Sequence, residues 1–149
     1  MDLADVLWIG GPRNSGTREL ADALAQRFDL TLYSVEEQAA AHAQRMPIAG
    51  DASAHMTARH RFRLVLEDLR VLEDKRGAIV EGEELLPTSV SAVLRFPDQA
   101  LFLVPAEGGV YAWEARDLRL RALAAEQPFE ELAELAAAHF APAVQRFRR

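Results

Sequence analysis

A chain of 149 residues, half of them apolar and carrying a formal net charge of −6, is the size of one domain with a full core. Its acidic balance excludes nonspecific nucleic-acid binding, which needs basic surface to neutralise phosphates. The absence of cysteine removes disulfides, thiolate nucleophiles and cysteine-held zinc; with no leader pattern and no run of roughly 18 apolar residues, a cytoplasmic protein with no membrane partner is expected.

Val6 to Ile9 predicts a buried first strand, closed by Gly10-Gly11. Gly11-Pro12-Arg13-Asn14-Ser15-Gly16-Thr17-Arg18 then keeps the G-x-x-x-x-G spacing of a phosphate-binding loop, with Thr17 where that motif has Lys and Arg18 where it has Ser or Thr. Leu20, Leu24 and Phe28 give the next helix its apolar face. Leu30 to Ser34 predicts a second strand and Val35 to about Arg45 an Ala-rich helix, broken at Pro47 to Asp51. Phe62, Val65, Leu66, Leu69 and Leu72 predict one long amphipathic helix from about Ala54 to Leu72. A charged connection around Lys75, the only lysine, leads into a third strand, Ala78 to Val80, ended by Glu81-Gly82.

After Pro87, the residues Val90, Val93 and Leu94 suggest a short helix, and Leu101 to Val104 a fourth strand ended by Pro105. The remainder reads as helix, from about Val110 to Ala125 and again after Pro128, where Phe129, Leu132, Ala136 and Phe140 share a face. The expected fold is α/β: a single three-layer domain over 1–142 on a parallel sheet of about four strands. No strand is expected after Val104, so one sheet edge awaits a helix or a partner. Residues 143–149 read as a basic, frayed tail.

Glu36, Glu37 and Glu81 fall at the carboxyl ends of predicted parallel strands, where open α/β sheets place ligands. Clustered carboxylates with no cation raise one another's pKa, which suits acid/base work. His42, about a turn further on, is expected in the same cleft. His55 and His60 are five apart, off the spacing that puts two ligands on one helical face, and no metal site is expected. The glycine loop has two readings: an anion site through Gly11, Arg13, Asn14, Ser15, Gly16, Thr17 and Arg18, or a turn whose glycines only permit tight strand-to-helix packing. Tyr111 and Trp113 either roof a ligand or fill a packing gap.

The loop Gly11 to Arg18, the segment Tyr33-Ser34-Val35-Glu36-Glu37 and the strand Ile79-Val80-Glu81-Gly82 together resemble small P-loop kinases of the adenylate-kinase-like and nucleoside or chloramphenicol phosphotransferase group. The resemblance implies a general-base or metal-holding role for Glu36, with Glu37 beside it, and contact of Glu81 with acceptor or metal. Ala115-Arg116-Asp117-Leu118 resembles the helix that returns from a nucleotide-covering lid, which makes Arg116 a ligand-binding candidate, while Ala106 to Trp113 is too short for much of a lid.

Four departures from that family agree: the Lys, the Mg²⁺-binding hydroxyl, the lid and the last strand. Losing cationic contacts to the transferring phosphate removes the stabilisation phosphoryl transfer depends on. The leading expectation is a kinase-like protein that has lost ATP phosphotransfer, needs no cofactor and binds a small metabolite in the former acceptor pocket. There Glu36, Glu81 and His42 would perform metal-free acid/base chemistry on a biosynthetic intermediate, making it a repurposed metabolic enzyme. Two alternatives stand beside it. One is a noncatalytic pseudokinase, a binding or regulatory subunit or homo-oligomer joined through the exposed sheet edge; the other is a residual ATP- and Mg²⁺-dependent small-molecule kinase using Arg18 and Arg13 in place of Lys.

Overall fold

A computed structural model describes residues 1–45 and 58–148. The predicted break at Pro47 to Asp51, the first turn of the predicted long helix and His55 lie outside the described residues. Five parallel strands form one sheet: β1 (Val6–Gly10), β2 (Thr31–Ser34), β3 (Ala78–Gly82), β4 (Ala100–Val104) and β5 (Arg121–Ala124), in the order β2-β3-β1-β4-β5. β1 and β3 are buried at every position, which their unbroken apolar runs require of central strands covered on both faces.

Alternation along the strands sorts the core into two layers. Leu7, Ile9, Ile79, Leu101 and Leu103 meet α1 (Thr17–Phe28) and α6 (Phe129–Phe147), which contribute Leu20, Leu24, Leu132 and Phe140. On the other face Trp8, Val80 and Phe102 meet Phe62, Val65 and Leu69 of α3 (Ala58–Val71), Val90 of α4 (Pro87–Ser91) and Tyr111 and Ala115 of α5 (Val110–Asp117). The short α2 (Ala39–Gln44) follows β2.

The expectation of about four strands and a bare edge at β4 is corrected by β5, which pairs along β4 from Leu101↔Arg121 to Val104↔Ala124. The helix expected to run to Ala125 stops at Asp117. Arg119, at φ 57, turns the chain out of the helix, its N–H bonding Arg116 O at 3.1 Å while Leu120 N–H bonds Ala115 O at 2.8 Å. That is the paired closure of a Schellman motif, with Arg in the left-handed position glycine usually fills. Only Leu123 of β5 is buried, so no apolar run marked this edge strand in the sequence.

The basic tail is also corrected. α6 continues through Pro142 to Phe147 with Ala143 and Val144 buried, and Arg146 pairs with Asp98 and lies over the Phe96 ring at 4.0 Å. The link from β4 to α5, residues 105–109, leaves no room for a lid, as expected.

Two close approaches set the rim of the sheet. A Cβ on Gly10 would stand 2.2 Å from Leu85 O, and one on Gly82 would stand 2.8 Å from Val35 Cβ. Leu85 of the β3–α4 connection is therefore seated directly on the end of β1, and the end of β3 closes on Val35 just after β2.

Candidate functional site

The loop between β1 and α1 takes two left-handed residues, Asn14 at φ 65 and Gly16 at φ 91, the second a conformation that glycine adopts without steric cost. It wraps so tightly that a Gly11 Cβ would lie 2.7 Å from Ser15 Oγ and 2.9 Å from Leu103 O. Ser15 Oγ is buried there without a hydrogen-bond partner.

Glu81, the penultimate residue of β3, stands beside this loop and is only 4% exposed. Ser34 Oγ donates to its Oε2 at 3.1 Å and Thr17 Oγ1 to its Oε1 at 3.4 Å. Burial raises its pKa above the ordinary carboxylate value; the Ser34 hydroxyl, the field of Arg18 and the Thr17 hydroxyl oppose that shift without cancelling it. No cation touches it among the described residues. Arg18 Nη1 lies 2.6 Å from Glu37 Oε1, and Arg13 Nη2 donates to Glu83 Oε1 at 3.2 Å.

The cavity above these groups measures about 250 Å³ and takes in the loop, Glu36 and Glu81. That is just under the roughly 300–1,000 Å³ of ordinary ligand pockets, so it suits a small molecule. Glu19, Glu36, Glu81, Glu83 and Glu84 line it against Arg13 and Arg18, a formal excess of three negative charges. Thr17, where the phosphate-loop pattern has Lys, turns its hydroxyl to Glu81, and Arg18, where that pattern has a hydroxyl, pairs with Glu37.

His42 does not join this cavity. It is fully buried, and Arg61 Nε donates to its Nδ1 at 2.9 Å. That bond makes Nδ1 the acceptor and leaves Nε2–H to Asp68 Oδ2 at 2.8 Å. The Tyr33 hydroxyl and Arg45 also donate to Asp68. Burial pushes the Asp68 carboxyl up, but these donors and the Arg45 charge outweigh it and hold it below its usual range. Tyr33 is pushed well above the ordinary phenol value, by burial first and then by Asp68. Arg61 continues to Val35 O at 2.6 Å and to within 3.6 Å of Glu84, so the network braces the floor of the cavity from behind β2.

Other predicted groups separate in space. Arg116 is exposed beside Asp117, away from the cavity. Tyr111 is buried with its hydroxyl on Glu83 O, a packing role that also anchors the β3–α4 connection, whereas Trp113 is 61% exposed on α5. No group of three or more potential metal ligands occurs among the described residues. Ser34, Arg61 and Asp68 were missed in the sequence: a serine ending a strand carries no signal, and Arg61 and Asp68 read as the solvated face of an amphipathic helix.

No family model and no curated protein matches the chain in sequence. Among solved structures it is similar to a shikimate kinase from Aquifex aeolicus, with a TM-score of 0.61 at 16% identity over 91% of this chain and 96% of that one. A gluconokinase from Sinorhizobium meliloti gives 0.57 at 13% identity, covering 99% and 98% of the two chains. The tunicamycin resistance protein of Deinococcus radiodurans gives 0.56 at 17% identity, covering 89% and 93%. No helix among the described residues is long and apolar enough to cross a membrane. The five-stranded parallel sheet, the glycine loop opening α1 and these likenesses agree: the chain has the fold of the P-loop small-molecule kinases.

Proposed function

We propose that this chain keeps the kinase fold without phosphoryl transfer and that its loop cavity holds a small neutral or cationic metabolite beside Glu81. One observation carries the reading: the groups in the two catalytic positions of the loop each turn to a carboxylate, Thr17 to Glu81 and Arg18 to Glu37. The chemistry left is proton transfer. A buried carboxyl with a raised pKa takes a proton from a bound ligand and returns it at a neighbouring atom, while the Ser34 and Thr17 hydroxyls fix its orientation. Glu36, on the same cavity wall, supplies a second carboxylate, and the negative lining favours an amine over a phosphate.

Calorimetry with ATP and ADP, with and without Mg²⁺, tests this directly. No saturable binding is expected, and a panel of small amines should raise the melting temperature of the wild type but not of Glu81→Gln. Tight Mg²⁺-dependent nucleotide binding that disappears in Gly16→Trp would overturn the proposal in favour of a working kinase.

A further inference from the structure

A cavity of about 890 Å³ lies away from the loop site, in a groove between α3 and α4. Phe62 and Leu66 of α3 face Leu86 and Val93, which flank α4, across an apolar floor. Arg59 and Arg63 stand on the α3 wall, four residues apart and so on one side of the helix. Both are exposed, and neither forms an ion pair with any described residue. Arg61 between them turns inward to His42 and Val35. Like charges at this spacing repel, and no described carboxylate lies within ion-pair distance of either, in a chain with a net charge of −6.

A pair of guanidinium groups with no ion-pair partner among the described residues, above an apolar trough, is complementary to one kind of small molecule. Guanidinium binds carboxylate through paired, charge-assisted hydrogen bonds, and the trough removes hydrocarbon from water. His60 is the one further basic side chain among the described lining residues. We propose that the groove binds an aryl or medium-chain acyl carboxylate, with Arg59 and Arg63 on the carboxylate and Phe62, Leu66, Leu86 and Val93 on the hydrocarbon. The site is independent of the proposed chemistry at Glu81: the β3–α4 connection separates the two, with Glu83 and Glu84 on the loop side and Leu86 on the groove side.

Phenylbutyrate is the probe, titrated into the full chain at low salt and followed by calorimetry and by NMR of the leucine and valine methyls. Saturable binding at one site is expected, with shifts at Leu66 and Val93 and weakening as salt rises. Affinity should fall by at least about tenfold in Arg59→Gln/Arg63→Gln, roughly 1.4 kcal/mol, and stay unchanged in Glu81→Gln. Phenylbutylamine should not bind the groove. Equal affinity of the double variant, with an unchanged melting curve, overturns the proposal, as does equal binding of the amine. Loss of phenylbutyrate binding in Glu81→Gln, with the arginine variant unaffected, also overturns it and moves the ligand to the loop cavity. Should the double variant melt early, Val93→Glu, which puts a carboxylate on the trough, must abolish binding for the proposal to stand.

Discussion

Ser34→Ala isolates the interaction that gives Glu81 its character. Ser34 is 2% exposed and its hydroxyl donates to Glu81 Oε2 at 3.1 Å. A hydrogen bond to an ionised group contributes about 1.5–3 kcal/mol and one to a neutral group about 0.5–1.5 kcal/mol. The variant should therefore lose about 1.5–3 kcal/mol of stability near pH 8, and only about 0.5–1.5 kcal/mol near pH 5, where the raised pKa leaves more of Glu81 protonated. The sign follows from proton counting. Because the folded pKa is raised, the folded state binds more protons than the unfolded one above the ordinary carboxylate value, so stability falls as pH climbs through that window. Removing the Ser34 donor extends the window upward, and urea denaturation at the two pH values should show a steeper decline in Ser34→Ala than in the wild type. NMR titration of the side-chain carboxyls should place Glu81 above the exposed glutamates. Equal losses at both pH values, or a Glu81 carboxyl titrating with the exposed set, would refute the claim that the buried carboxyl keeps a high proton affinity.

Arg119→Gly should raise stability by about 0.5–1 kcal/mol, read as a higher melting temperature, because Arg119 holds the left-handed position of the turn after α5 at φ 57. Asp68→Asn should cost about 1–3 kcal/mol near neutral pH in urea denaturation. The wild-type Asp68 carboxyl is held below its usual range, so its contribution is present above the ordinary carboxylate value and disappears as pH falls through the depressed one; the acid limb of stability should flatten in the variant. Phe140→Ala, at a fully buried position between α6 and the sheet, should cost about 3–5 kcal/mol in the same assay.

The order of β1, glycine loop and α1 was legible because apolar runs and glycines speak locally. β5 was not, since an edge strand with one buried residue has neither the run of a central strand nor a clean alternation, and the preceding helix ends on an arginine in place of a glycine. Glu36 and Glu81 could be placed together from strand-end topology alone, and they line one cavity. His42 could not be placed, because its orientation depends on Arg61 and Asp68, 19 and 26 residues further along the chain. The tail deceived for a related reason: Arg146 is drawn into the fold by Asp98, 48 residues away, a pairing no local pattern announces.

The contrast between the seat of the loop cavity and its rim bears on how the proposed ligand would enter. Gly10 lets the β3–α4 connection rest on the end of β1 with no side chain between them, and Gly82 lets the end of β3 close on Val35, both close-packed contacts. Above, Arg18–Glu37 and Arg13–Glu83 are exposed ion pairs, each worth about 0–1 kcal/mol. At the upper end of that range, about one molecule in six has a given pair apart at any instant. Side chains of this kind reorient within about nanoseconds, so entry to the cavity needs no slow backbone rearrangement. Ligand exchange at the loop site should be fast, and rising ionic strength should open it further by loosening the two surface latches.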